Sequence, residues 1–202
     1  YDDLLGRMND IIRAASDNGI EKIISVGVDL ETSEECVQLA EKYPSVYAAC
    51  GYHPHEAVKA PNRYLYELEQ FYKHPKVVAV GEIGLDYHYN FSEPKDQKKV
   101  YQEQLEMASS LNLPAVVHCR KSDDDILSGI QESGHDAGVI HCFASDLDFA
   151  NSILKTGFYI SFTGMITFIK DLEEVVQEVS LDKMMVETDT PYLSPKPHRG
   201  KK

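Results

Sequence analysis

The stretch Val77-Val78-Ala79-Val80-Gly81-Glu82-Ile83-Gly84-Leu85-Asp86 decides the fold. A short, uninterrupted apolar run rich in valine fits a strand buried on both faces, which is the habit of parallel sheets. It breaks at a glycine and delivers an acid at the strand's C-terminal end. Working outward, the same grammar repeats. Ile23 to Val28, Val46 to Cys50, Ala115 to Val117, Gly138 to Ile140, Phe158 to Ser161 and Met184 to Val186 are further apolar runs, giving seven candidate strands in all. Polar segments of helical periodicity lie between them. In the segment 95–112, Tyr101, Leu105 and Ala108 make one apolar stripe, with Val100, Met107 and Leu111 beside it.

Helix boundaries agree with that alternation. A first helix is expected over residues 3–18, Thr32 and Glu35 have capping-box spacing, and Asn112-Leu113-Pro114 ends the long helix just before a strand. Strand then helix, repeated, implies right-handed crossovers and a parallel sheet. Two architectures accept this pattern, a doubly wound open sheet and a (β/α)8 barrel of the TIM type. The strand ends choose between them. His53 and His55 follow one run, Glu82 and Asp86 a second, His118 and Arg120 a third, His141 a fourth, and Glu187 and Asp189 a fifth. An open sheet concentrates its site at one switch point, whereas a barrel assembles it from many strand ends. The barrel is expected, as an α/β fold in a single domain over 1–202.

Composition limits the partners. The 202 residues carry 33 Asp plus Glu against 20 Lys plus Arg, a net charge of -13. Such a chain does not coat nucleic acid or an anionic membrane through net charge, so a polyanionic substrate needs local positive charge, from metal ions or from the basic stretch 196–202. The four cysteines are widely spaced, which reads as a reduced, cytoplasmic chain. No apolar run approaches the roughly 20 residues of a membrane span. No obligate protein partner is evident from the sequence.

Three imidazoles and at least two carboxylates at one rim are the inventory of a hydrolytic metal site. Glu82, held between Gly81 and Gly84, is expected to be a ligand. Asp189 and Glu187 compete for the acid at the last strand, the alternative use of Asp189 being an N-terminal helix cap or an Asx turn before Pro191. His53 is either a turn residue stiffened by Pro54 or a substrate contact. Arg120 either pairs with Asp123, Asp124 and Asp125 or binds phosphate, and the stretch 196–202 is either a phosphate-binding loop or a basic tail. His55, His74, His88 and His135 are expected at the surface. Cys119 and Cys142, each adjacent in sequence to a candidate histidine, are expected to point away from it as buried, inert thiols.

The motifs GYHPHEA (51–57), GEIGLDY (81–87), VVHCR (116–120), VIHCF (139–143), ETDTPYL (187–193) and PHRGK (197–201) resemble, in order, those of the TatD family of metal-dependent deoxyribonucleases, barrels of the amidohydrolase type. The resemblance implies that Glu82 bridges two divalent cations (Mg, Zn or Mn), that His118 and His141 complete one site, and that Asp189 belongs to the other and accepts a proton from water. It implies that His53, Arg120 and Arg199 face the substrate. The implied activity is hydrolysis of phosphodiester bonds at DNA ends, by 3′ exonuclease action. The family pattern also has a His-x-His pair on an opening strand and a last helix, neither of which occurs in these residues. The barrel is therefore expected to lack its first strand and last helix, as a domain incomplete at both ends. The rivals are a metal-dependent amide, ester or lactone hydrolase and an inactive paralogue acting as a binding protein.

Overall fold

The computed structural model describes residues 6–89 and 91–200. Part of the expected first helix, residues 3–5, and the last two lysines of the basic stretch lie outside the described residues. Among the described residues seven strands form one sheet: β1 (Ile23–Val26), β2 (Val46–Cys50), β3 (Val77–Asp86), β4 (Ala115–Arg120), β5 (Gly138–Ile140), β6 (Tyr159–Phe162) and β7 (Met184–Val186). Each pairs in parallel with its neighbours in chain order. The order never reverses, so there is no switch point of the doubly wound kind. The sheet curls as an incomplete barrel, with β1 and β7 as its edges.

The helices are α1 (Met8–Asp17), α2 (Leu30–Lys42), α3 (Tyr64–Phe71), α4 (Pro94–Leu111), α5 (Asp123–Ser133), α6 (Leu147–Leu154) and α7 (Leu172–Glu178). In α4 the apolar stripe Tyr101, Leu105 and Ala108 is buried against β3 and α5, as its spacing requires. The helix stops at Asn112, whose left-handed φ of 53° forms the C-cap. Two hydrophobic groups make up the core. One gathers β3 to β6 with α4, α5, α6 and α7; the other gathers β1 and β2 with α2 and α3.

Two local expectations change. The capping box of α2 begins at Asp29, not Thr32: Asp29 Oδ1 accepts the Thr32 N–H at 2.8 Å and Thr32 Oγ1 accepts the Asp29 N–H at 3.0 Å. Thr32 is the third helical residue, because the Asp29 carboxylate takes the Thr32 N–H and starts the helix one turn earlier. β3 is the second case. It runs on past the apolar quartet to Asp86, so Glu82 and Asp86 are strand residues and not loop residues. The ladder to β4 skips between Val80 and Ile83 and resumes with Gly84 opposite His118. Gly84 has φ 130°, and a Cβ there would meet the His118 carbonyl oxygen at 2.0 Å. Only glycine permits that approach.

Candidate metal centre

Glu82 occupies the middle of the rim. Its Oε1 lies 2.6 Å from His141 Nε2, 3.1 Å from His118 Nδ1 and 3.4 Å from His53 Nε2. Each histidine comes from a different strand end, after β5, in β4 and after β2. Among the described residues every ion-pair partner of Glu82 is an imidazole; none is a lysine or arginine. A half-buried carboxylate balanced only by titratable nitrogens has the donor chemistry of a divalent-cation site.

Behind two of these histidines stand further carboxylates. His118 Nε2 is 3.1 Å from Asp86 Oδ2, and His141 Nδ1 is 3.7 Å from Glu187 Oε2. Asp86 is fully buried; its Oδ1 accepts the His88 and Tyr89 N–H groups, and its Oδ2 also meets His55 Nε2 at 2.9 Å. Glu187 Oε1 accepts the Cys142 N–H at 2.6 Å, which fits the left-handed turn at Cys142, φ 48°. Such outer carboxylates orient a metal-binding imidazole and raise its basicity.

The electrostatics follow from this packing. Burial by itself would raise the Glu82 pKa, but the charge of His141 and hydrogen bonds from the three imidazoles hold it well below the usual range. Burial would lower His141, yet Glu82 and Glu187 push it well above its ordinary value; His118 is raised in the same way by Asp86 and Glu82. In Asp86 the same competition ends far below the carboxylate range, through His118 and His55. His53 differs. Burial dominates and lowers it, so it is neutral at pH 7. Its Nδ1 accepts the His55 N–H at 3.1 Å, so the neutral ring carries its proton on Nε2, facing Glu82.

Asp189 follows β7. Its carboxyl is raised by burial and by the negative charges of Glu82 and Glu187, against the opposing influence of His141 and His118. Its backbone carbonyl accepts the Tyr192 N–H at 2.7 Å, closing a turn that contains Pro191. Arg120 does not pair with the acidic run: its guanidinium lies 4.7 Å over the Tyr89 ring, while Asp125 engages Lys98 and Tyr87. Arg199 lies 3.9 Å over the Phe168 ring.

Two surface assignments are corrected. His55 is drawn into the site by Asp86, and His135 is only 5% exposed, packed edge-on to Phe158 below the sheet. Asp86 was missed as a site residue although a signal existed, since positions 82 and 86 are an even number apart and share one face of an extended strand. Cys119 and Cys142 are half-buried and not buried as expected. Cys119 contacts Ser122 and Asp123, and burial raises both its pKa and that of Cys142, the latter to about 11.

Comparison with known proteins agrees with the fold. The family model described as TatD related DNase matches residues 2–202. An uncharacterized metal-dependent hydrolase, YabD of Bacillus subtilis, is 38% identical over 96% of this chain, which spans 78% of that protein. The Escherichia coli protein named 3'-5' ssDNA/RNA exonuclease TatD is 30% identical over 93% of the chain and is covered over 74% of its own length. The crystal structure of YjjV, a TatD homologue from Escherichia coli, superposes with a TM-score of 0.91 at 30% identity, covering 96% of this chain and 77% of that one.

Proposed function

Because the chain belongs to the TatD-related DNase family of metal-dependent hydrolases, we propose that it hydrolyses phosphodiester bonds at nucleic-acid ends, DNA foremost, with 3′ to 5′ polarity. The observation that carries this reading is the convergence of His118 and His141 on one oxygen of Glu82, at 3.1 and 2.6 Å. Glu82, His118 and His141 would hold one divalent cation, and Glu82 with Asp189 part of a second; Mg, Mn and Zn all suit these donors. A cation held there supplies Lewis acidity toward the phosphoryl group and toward water.

The chain's own residues do the rest. Asp86 and Glu187 fix the ring planes of His118 and His141. His53 is nearer to Glu82 and His118 than a remote substrate contact requires, since ligand atoms of the three lie within 4.8 Å of one another. With its lone pair on Nδ1 already engaged by the His55 N–H, its Nε2–H is placed to donate to a phosphate oxygen and not to ligate. Asp189, whose carboxyl burial raises from its ordinary value, accepts the proton of the attacking water. Arg120 and Arg199 offer positive charge to neighbouring phosphates.

End-labelled single-stranded DNA, RNA and duplex DNA, assayed with each cation beside ester, amide and lactone substrates, tests the reading. Metal-dependent shortening of the nucleic acid is expected, abolished in Glu82→Ala and His141→Ala. Turnover of the carbonyl substrates alone would replace the reading with its rival. Nuclease activity that survives both substitutions would remove the site.

A further inference from the structure

The turn after β3 sets two aromatic rings beside His55. Phe91 is 61% exposed and Tyr89 40%, their rings 5.6 Å apart and tilted by 36°. Apolar surface of this kind grouped at the mouth of a site marks binding more often than chance exposure does. The Arg120 guanidinium covers Tyr89. His55 joins the group to the metal centre: its ring lies 4.8 Å from Phe91 and 5.6 Å from Tyr89, and its Nε2 shares Asp86 Oδ2 with His118.

The placement of these rings is anchored on both sides. Asp86 Oδ1 accepts the Tyr89 N–H at 3.1 Å. Beyond Phe91, the Ser92 hydroxyl donates to the His55 carbonyl and accepts the Val58 N–H, each at 3.0 Å, while Gln97 holds the Ser92 carbonyl at 2.8 Å. The carboxylate that orients His118 therefore also seats the aromatic turn.

Resting on the nucleic-acid reading above, we infer that Phe91 and Tyr89, with Arg120, form a stacking platform for a nucleobase next to the phosphate to be cut. Every base has a π-face that such rings accept, and the guanidinium adds a cation for the base or its phosphate. A base inside a duplex has both faces occupied by its neighbours. The platform therefore selects unpaired ends and is tolerant of sequence.

The test uses the manganese-loaded full-length protein and a single-stranded decanucleotide. Its terminal base is 2-aminopurine and its last linkages are phosphorothioate, so that binding is read by fluorescence without cleavage. Phe91→Ala is expected to weaken binding about fivefold or more, and Phe91→Trp to retain it. On the cleavable oligonucleotide Phe91→Ala raises KM by a similar factor and leaves kcat within about twofold. An oligonucleotide whose terminal base is replaced by an abasic sugar, read by competition against the 2-aminopurine oligonucleotide, binds wild type more weakly by the same factor and binds Phe91→Ala as well as its base-bearing counterpart does. Equal losses from base removal in wild type and Phe91→Ala would overturn the platform, as would undiminished binding by Phe91→Ala, in which case the exposed rings serve a protein contact. A wild-type chain that cleaves no nucleic acid removes the functional reading and the platform together; one that cleaves without dependence on Phe91 removes the platform alone.

Discussion

Asp86 makes no direct contact with Glu82, yet it holds His118, His55 and the turn at Tyr89. Asp86→Asn keeps the shape and removes the charge. Loss of a carboxylate behind a metal-binding imidazole typically weakens the metal by about 10- to 100-fold, and that is the expected drop in manganese affinity, read by competition with a chelating dye; unchanged affinity would deny Asp86 this role. The same cluster makes a pH prediction. His141 is raised in the folded chain, so without metal its contribution to stability is complete below about pH 6.5 and is lost as pH rises through its folded value. Glu82 is depressed, so its contribution is present above about pH 4.5 and is lost as pH falls. In chelator, the melting temperature should decline from mildly acid toward alkaline pH. Added cation displaces those protons, so the metal-induced rise in melting temperature should grow over the same range. A metal effect independent of pH would mean that these imidazoles are not the ligands.

At the scale of elements, two backbone features position the rim. Asp29 caps α2, and Asp29→Ala should cost about 1 kcal/mol in urea unfolding, with Glu35→Ala close to neutral. Equal effects would restore the cap to Thr32. Gly84 lets β3 pass against the carbonyl of His118, and Gly84→Ala combines a close contact with a left-handed φ. A loss of about 2 to 3 kcal/mol is expected, together with weaker metal binding as His118 is displaced. This is also the scale at which the apolar quartet misleads. Val77 to Val80 marks where the strand is buried, but hydrogen bonding to β4 carries it on to Asp86 through glycines that single-residue propensity counts against a strand.

At the scale of the molecule, the sheet ends in two edges. Ile24 in β1 is 51% exposed and Val186 in β7 80%. Unpaired strands with apolar side chains invite edge pairing, so this chain should self-associate at micromolar concentration, and Ile24→Lys with Val186→Lys should shift it toward monomer in sedimentation velocity. A monomeric wild type would show that the edges are protected. The net charge of -13 slows non-specific association but does not close a ladder.

The amino-acid sequence by itself determined the parallel alternation, the barrel, the family, and the strand ends that bear Glu82, His118, His141 and Asp189, because buried strands must be apolar and the family's motifs survive at their ends. It did not determine which atoms meet. His55 and Asp86 lie 31 positions apart and join only because β2 and β3 are neighbours in the sheet. His53 and Arg120 likewise acquired their partners, Glu82 and Tyr89, from tertiary packing. Periodicity reports which face of an element is buried; the distance between side chains on different strands is set by register, and register exists only once the sheet has formed.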